Sequence, residues 1–252
     1  MNEWATDEMM AVEASRRLAN STVCFVGIGL PSLAANLALR THAPECVLVY
    51  ESGAIGAKPV ELPLSIGDGE LAETADAVVS VPEMFAYWLQ GGRIDVAFLG
   101  AAQIDRHGNL NSTVIGTYGA PKVRLPGGGG APEIARGVRD VFVMLRHSRR
   151  AFVERLDFVT SLGDRVRVVV TDLGILEPRD ELTLVAVHPG VSARRCARRD
   201  RRTGRRCRST TRATGRRAGV RRGDPLSRCP RSCRRSTGRS SATTCSSRST
   251  TT

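Results

Sequence analysis

The sequence predicts an α/β fold: a mostly parallel sheet flanked by helices. Three observations carry that expectation. Short apolar runs at residues 23–28, 46–50, 77–81, 94–100, 138–145, 166–171 and 182–188 read as buried strands. Stretches with helical spacing lie between several of them. Glycine or proline stands where one pattern changes to the other.

In order, residues 6–19 read as a helix, with Met10, Ala14 and Leu18 every four residues and Thr6 or Asp7 as its cap. The strand at 23–28 runs into Gly27-Ile28-Gly29-Leu30-Pro31, then a helix over 32–40 with Leu33, Leu37 and Ala38 on one face. Strand, glycines, proline and helix start leave free backbone N–H groups, which suit an anion or a tight packing turn equally well. The third glycine of a dinucleotide fingerprint is missing. The strand at 46–50 ends on Glu51-Ser52-Gly53, delivering a carboxylate where the chain leaves the sheet, the usual place for a ligand in open α/β sheets. Glycine after the carboxylate permits a sharp turn and close approach.

A long loop over 58–69 precedes the strand at 77–81. Pro82 opens a helix that Gly91-Gly92 ends. The strand at 94–100 closes on Gly100 and leads into a polar loop, 103–112, beginning with Gln103. Four glycines, Gly127 to Gly130, then expose backbone N–H groups before Pro132 opens a helical turn. That is an anion or oxyanion cradle, or a flexible loop; the proline and helix argue against a plain linker. His42, His107, His147 and His188 are scattered, and no Gly-x-Ser-x-Gly elbow exists, so serine and metal hydrolysis are poorly supported.

The 252 residues suffice for one large domain or two small ones. Net charge is +12, but it is unevenly spread. Residues 194–252 hold 20 Arg, no Lys and two acids, a net of +18, which leaves −6 for residues 1–193. Two chemically different polymers meet near Ala193: a domain over 1–192 and an Arg/Ser/Thr-rich tail over 193–252. The tail lacks Ile, Phe, Tyr, Trp, Met and Lys, so it is expected to be disordered, without enough apolar area to offset its ordering entropy. A basic arm of this kind would bind nucleic acid only non-specifically, through phosphates.

Cys24 and Cys46 sit beside strand-like residues and read as buried thiols; the five tail cysteines match no metal spacing, so no metal site is expected. No apolar run reaches the roughly 18–20 residues of a membrane span. The acidic N-terminus lacks a signal-peptide layout, and a cytoplasmic location without membrane contact is expected.

Several ordered motifs together resemble the beta subunit of family I CoA-transferases, of the glutaconate and 3-oxoacid types. They are Gly27-Ile28-Gly29-Leu30-Pro31, Tyr50-Glu51-Ser52-Gly53, Gly91-Gly92-Arg93-Ile94-Asp95-Val96-Ala97-Phe98-Leu99-Gly100-Ala101-Ala102-Gln103-Ile104-Asp105 and Leu125-Pro126-Gly127-Gly128-Gly129-Gly130-Ala131. Residues 152–161 and Val187-His188-Pro189-Gly190-Val191 continue the resemblance, which covers roughly 6–192.

The resemblance implies that Glu51 is the catalytic nucleophile. It implies a glutamyl-CoA thioester intermediate, acyl-CoA and carboxylate substrates, and no tightly bound cofactor, coenzyme A being substrate and covalent intermediate. It also implies an alpha-subunit partner, in a heterodimer or heterotetramer. Ser52, Gly53, Gly27, Gly29, Gly100, Gln103, Gly128, Gly129 and Gly130 are the expected CoA- and oxyanion-binding positions. A related class hydrolyses CoA thioesters in ring degradation and need not keep the glutamate; its presence here favours transfer.

The family normally continues past Val191 with a segment such as A-E-E-V-R-A-A. One base dropped after the first codon of a G+C-rich version turns it into A-R-R-C-A-R-R, the run from Ala193 to Arg199. The tail is therefore read as the product of a frame change.

Overall fold

The computed structural model describes residues 5–200 and the backbone of Arg212–Ala213. The chain divides into two units after Arg216, and every described residue lies in the first. The element order begins α1 (Thr6–Ser15), β1 (Val23–Val26), α2 (Leu30–Thr41), β2 (Val47–Tyr50), β3 (Ala54–Ile55), α3 (Gly69–Glu73), β4 (Ala77–Val78). Helix α4 (Val81–Glu83) continues as a wider π-type turn, Met84–Leu89. Then come β5 (Val96–Leu99), β6 (Gln103–Ile104), β7 (Leu110–Asn111), β8 (Val114–Thr117), β9 (Ala120–Arg124) and α5 (Ala131–Gly137). The chain goes on through β10 (Asp140–Met144), β11 (Val166–Val170), β12 (Gly174–Pro178), β13 (Leu182–Val187), α6 (Ala193–Arg198) and β14 (Arg212–Ala213).

One large sheet runs β14-β13-β12-β11-β10-β5-β1-β2-β3-β4. Its centre, β2-β1-β5-β10-β11, is parallel throughout. The chain leaves β1 for β2 on one side, then returns to lay β5 on the other. Order therefore reverses at β1, and the crevice above the carboxyl ends there is the natural ligand position.

Both faces of these central strands are covered, and the residues alternate between two cores. Cys24 and Val26, Leu48 and Tyr50, Val96 and Phe98, and Phe142 and Met144 pack with α1 and α2 through Met10, Ala14, Ala34 and Ala38. Phe25, Val49, Ala97, Leu99, Val141 and Val143 pack on the opposite side with Met84, Leu89, Ile104, Ile134 and Phe152. A strand buried on both faces has no need of polar alternation, which is why these segments read as continuous apolar runs. Each fully buried Leu, Ile or Phe contributes about 1.5–3 kcal/mol.

The structure corrects several expectations. The α/β class itself is borne out, with a sheet parallel through its centre, but β3 and β4 at one side, and β12 and β13 at the other, join by antiparallel pairing. The first helix stops at Ser15 rather than residue 19, and its cap is Ala5, whose N–H meets the Glu8 carboxylate at 2.9 Å. The 58–69 stretch is followed by α3, capped by Asp68, and the polar loop contains the β6–β7 ribbon. The β8–β9 hairpin and β12 have no counterpart in the sequence reading. The first residues of the tail form α6, capped by the Ser192 side chain, and Cys196 is buried in the core. Disorder is thus corrected for residues 193–200; apart from Arg212–Ala213, whose backbone pairs with β13, the remainder of that expectation lies outside the described residues.

Burial pushes the Cys24 thiol well above its usual range, with Cys46 and Asp95 adding to it. Burial, then Asp95, pushes Cys46 up to about 11. Thiolate is the reactive species, and at pH 8 roughly a thousandth of Cys46 carries it. Neither cysteine should react with iodoacetamide at pH 8 in the folded protein, while both should in denaturant. Peptide mass spectrometry checks this, and labelling of either native thiol would contradict the buried placement.

Candidate active site

Tyr50, the last residue of β2, is fully buried, and its hydroxyl lies 3.3 Å from Ser32 Oγ on α2. The next residue, Glu51, is only half-buried. The chain then turns sharply: Gly53 N–H donates to Tyr50 O at 2.9 Å, and Val79 N–H to Gly53 O at 3.0 Å. Gly53 has φ of +102°, and a side chain there would overlap the Val79 carbonyl oxygen. Only glycine serves both demands.

The glycine loop reaches the same place from the other side of the sequence. Gly127 N–H donates to Ser112 O at 2.8 Å and Ala131 N–H to Gly128 O at 2.9 Å. The N–H groups of Gly128, Gly129 and Gly130 meet no acceptor among the described residues. Thr160 anchors the support: its hydroxyl accepts from Ser112 N–H at 3.0 Å and lies 2.7 Å from Thr113 Oγ1. A Cβ added to Gly130 would stand 2.7 Å from Glu51 Oε1 and 2.8 Å from Phe85 Cζ. The loop backbone therefore lies directly against the carboxylate, which accepts no hydrogen bond among the described residues.

Both border a cavity of about 600 Å³ at the carboxyl ends of β1, β2, β5 and β10. Its walls are largely apolar, including Phe98, Ile134 and Met144. Among its described lining residues Glu51 is the one acid and Arg146 the one base.

Of the residues singled out from sequence, Gly27, Glu51, Gly100, Gly128, Gly129 and Gly130 come together around this cavity. Gly29 caps α2 with φ of 84°, next to the lining residues Ile28 and Leu30. Ser52 and Gly53 build the turn and do not line the cavity. Gln103 is spent elsewhere: its amide oxygen accepts from Asn111 at 3.0 Å and its amide NH₂ donates to Arg150 O at 3.3 Å. None of the four histidines lines the cavity. His147 stacks on Phe152 with centroids 4.3 Å apart, and His188 Nε2 lies 2.7 Å from Thr171 O.

Sequence reasoning passed over Ser112, Phe85 and Arg146. Arg146 carried a signal. It is the first polar residue after the apolar run of β10, the position Glu51 holds after β2.

Residues 7–196 match the family model described as Coenzyme A transferase. The 3-oxoadipate CoA-transferase of Pseudomonas knackmussii has one subunit that is 58% identical over 210 residues, covering 76% of this chain and 81% of that one. The glutaconate CoA-transferase of Acidaminococcus fermentans has one that is 36% identical over 210 residues, covering 74% and 78%. The crystal structure of the A. fermentans enzyme superposes with a TM-score of 0.73 at 34% identity, over 79% of this chain and 85% of that one. The decarboxylase AibA/AibB matches with the same TM-score at 27% identity, over 82% and 86%. This chain belongs to the coenzyme A transferase family.

Two substitutions test the geometry. Gly53→Ala should cost about 2–4 kcal/mol of unfolding free energy, through its positive φ and the backbone overlap, read by urea denaturation. Gly130 has an ordinary φ of −80°, so alanine fits its backbone and collides chiefly with the movable Glu51 carboxylate and the Phe85 ring. Gly130→Ala should leave the melting temperature within a few degrees and lower turnover about 10- to 100-fold by displacing that carboxylate.

Proposed function

We propose that this chain is the beta subunit of a CoA-transferase, with Glu51 as its covalent nucleophile and an alpha subunit as its partner. The observation that carries the proposal is the backbone of Gly130 lying against the Glu51 carboxylate, beside N–H groups that have no acceptor among the described residues. The names of the similar subunits supply the partner and the reaction class. A 58% identical relative named for 3-oxoadipate supports a dicarboxylic acyl group as substrate.

In this reading the Glu51 carboxylate attacks the thioester carbonyl of a donor acyl-CoA. A tetrahedral oxyanion forms and collapses, expelling CoA thiolate and leaving an acyl-glutamyl anhydride. The thiolate attacks the glutamyl carbonyl, giving a glutamyl-CoA thioester and releasing the donor acid. An acceptor carboxylate attacks that thioester, thiolate leaves again, and its return to the acceptor's acyl carbon frees Glu51. The N–H groups of Gly128, Gly129 and Gly130 are the oxyanion donors, and one such donor is worth about 10²–10³ in rate. The largely apolar walls and the partner subunit keep water from the anhydride.

Glu51→Ala should abolish transfer in a reconstituted alpha–beta complex. Glu51→Asp should lose about a hundredfold, because a lost methylene withdraws the nucleophile by about 1 Å. Incubation with acyl-CoA alone should leave CoA attached to Glu51, visible by peptide mass spectrometry. Undiminished transfer by the alanine variant would remove Glu51 from this role.

The tail has no part in this chemistry, and we read residues 194 onward as the product of a frame change. A chain ending at Asp200, which keeps α6 and Cys196, should transfer CoA as fast as the full chain and lose any salt-sensitive affinity for nucleic acid. Resequencing the gene should reveal an acidic, helix-forming continuation in another frame; its absence would mean a selected basic arm.

A further inference from the structure

We infer that Arg146 reads the distal carboxylate of a dicarboxylic acyl group whose other end reacts at Glu51; this rests on the CoA-transfer reading above. Among the described residues, these two side chains are the only charged groups lining the cavity, one acid and one base in a largely apolar wall. They follow the carboxyl ends of two parallel strands, β2 and β10, on opposite sides of the order reversal at β1. With a thioester carbonyl at Glu51, Arg146 is the charged partner that the described wall offers to a second negative charge.

Reach bears on the choice between this role and a clamp on the phosphates of CoA. Glu51 and Arg146 follow strands three places apart in the sheet, so their backbones stand roughly 14 Å apart at about 4.8 Å per strand. A glutamate and an arginine extended toward each other take up much of that span. The remainder suits an extended six-carbon diacid, whose carboxyl carbons are about 6 Å apart at roughly 1.2 Å per bond. The pantetheine arm between thioester sulfur and diphosphate spans about 13 such bonds, roughly 15 Å, and overshoots it.

Arg146 is also available. Its present partners are Thr6 Oγ1, at 2.8 Å, and the Asp7 carboxylate, both on the first turn of α1. The side chains of Arg146 and Asp7 are 52% and 48% exposed, and an exposed ion pair of this kind contributes little. A guanidinium offers five donors in a planar fork, so a substrate carboxylate can join or replace Asp7 with two parallel hydrogen bonds. Before substrate arrives, Asp7 holds the fork at the cavity's edge.

The test uses the reconstituted alpha–beta complex and two acceptors: 3-oxoadipate, and 3-oxohexanoate, which has the same chain with a methyl group in place of the distal carboxylate. In a ping-pong scheme kcat/KM for the acceptor reports its own half-reaction, so succinyl-CoA serves as donor throughout. Arg146→Met should lower kcat/KM for 3-oxoadipate about 100-fold and for 3-oxohexanoate less than 3-fold. Arg146→Lys, which keeps the charge without the fork, should recover to within about 10-fold of wild type on 3-oxoadipate, and it gives the same reading should the Met variant not fold. Asp7→Asn should leave the preference between the two acceptors intact.

Equal losses on both acceptors would overturn the inference, whether from collapse of the site or from a raised KM for acyl-CoA, the sign of a phosphate contact. An Arg146→Met variant as active as wild type on 3-oxoadipate would overturn it too, and so would an Asp7→Asn variant as impaired as Arg146→Met on both acceptors. A wild-type complex that transfers CoA to neither acid would instead bring down the CoA-transfer reading itself, and this inference with it.

Discussion

The parallel pairing of β1 with β2 on one side and β5 on the other is the constraint on which the rest depends. It brings three carboxyl ends side by side, and β10 adds a fourth through β5. A parallel sheet places all its carboxyl ends at one rim, so residues far apart in the chain become neighbours there. Gly27, Glu51, Gly100 and Arg146 are spread over more than a hundred positions and line one cavity. The opposite rim is closed by charge. Val23 N–H meets the Asp95 carboxylate at 2.9 Å, Arg139 pairs with Asp95 at 2.9 Å, and Arg167 pairs with Asp140 at 3.2 Å. One rim is bordered by these ion pairs, and the other carries the cavity.

Around Glu51, rigidity is supplied by neighbours rather than by bonds to the carboxylate. Tyr50 is locked in the core, Gly53 is pressed against Val79, and Phe85 stands beside Gly130 on the wider helical turn. That turn is closed off by Gly91, where any side chain would strike the Tyr87 carbonyl. The backbone of Glu51 is thus held in place, while its carboxylate accepts no hydrogen bond among the described residues.

Much of this was legible in the sequence, and the reasons differ by element. The central strands showed because two-sided burial writes an unbroken apolar run, as in Val47-Leu48-Val49-Tyr50. Glu51 and the glycine loop showed because a carboxylate directly after a buried strand, and four successive glycines before a helix-opening proline, stand out from their surroundings. The antiparallel edges showed only in part: the run at 77–81 marked β4, whereas Ala54–Ile55 is two residues long, too short for any periodicity. The β8–β9 hairpin was hidden because its second strand, Ala120–Arg124, is exposed throughout and so lacks alternation. Gln103 entered through the family resemblance rather than any local pattern, and here its amide satisfies buried Asn111 and the Arg150 carbonyl. Cys196 was assigned to a chain without structure because its neighbours are arginines, yet one small thiol facing Leu173 is enough to seat a helical turn.

The exposed strand of the hairpin also governs how such molecules meet in solution. An open strand edge is a template on which a second chain can add its own backbone. Here β9 carries Pro121, which has no N–H to offer, and Lys122 and Arg124, which repel a like copy. The Arg124 guanidinium lies 4.9 Å above the Tyr118 ring, and that ring stacks on Phe158, so the apolar surface at the hairpin's tip is partly covered by charge. At the sheet's own margin, β4 ends after two residues and Pro82 follows four positions later. At these borders the missing N–H of Pro121, the like charges of Lys122 and Arg124 and the two-residue length of β4 all disfavour strand-to-strand addition of a second copy.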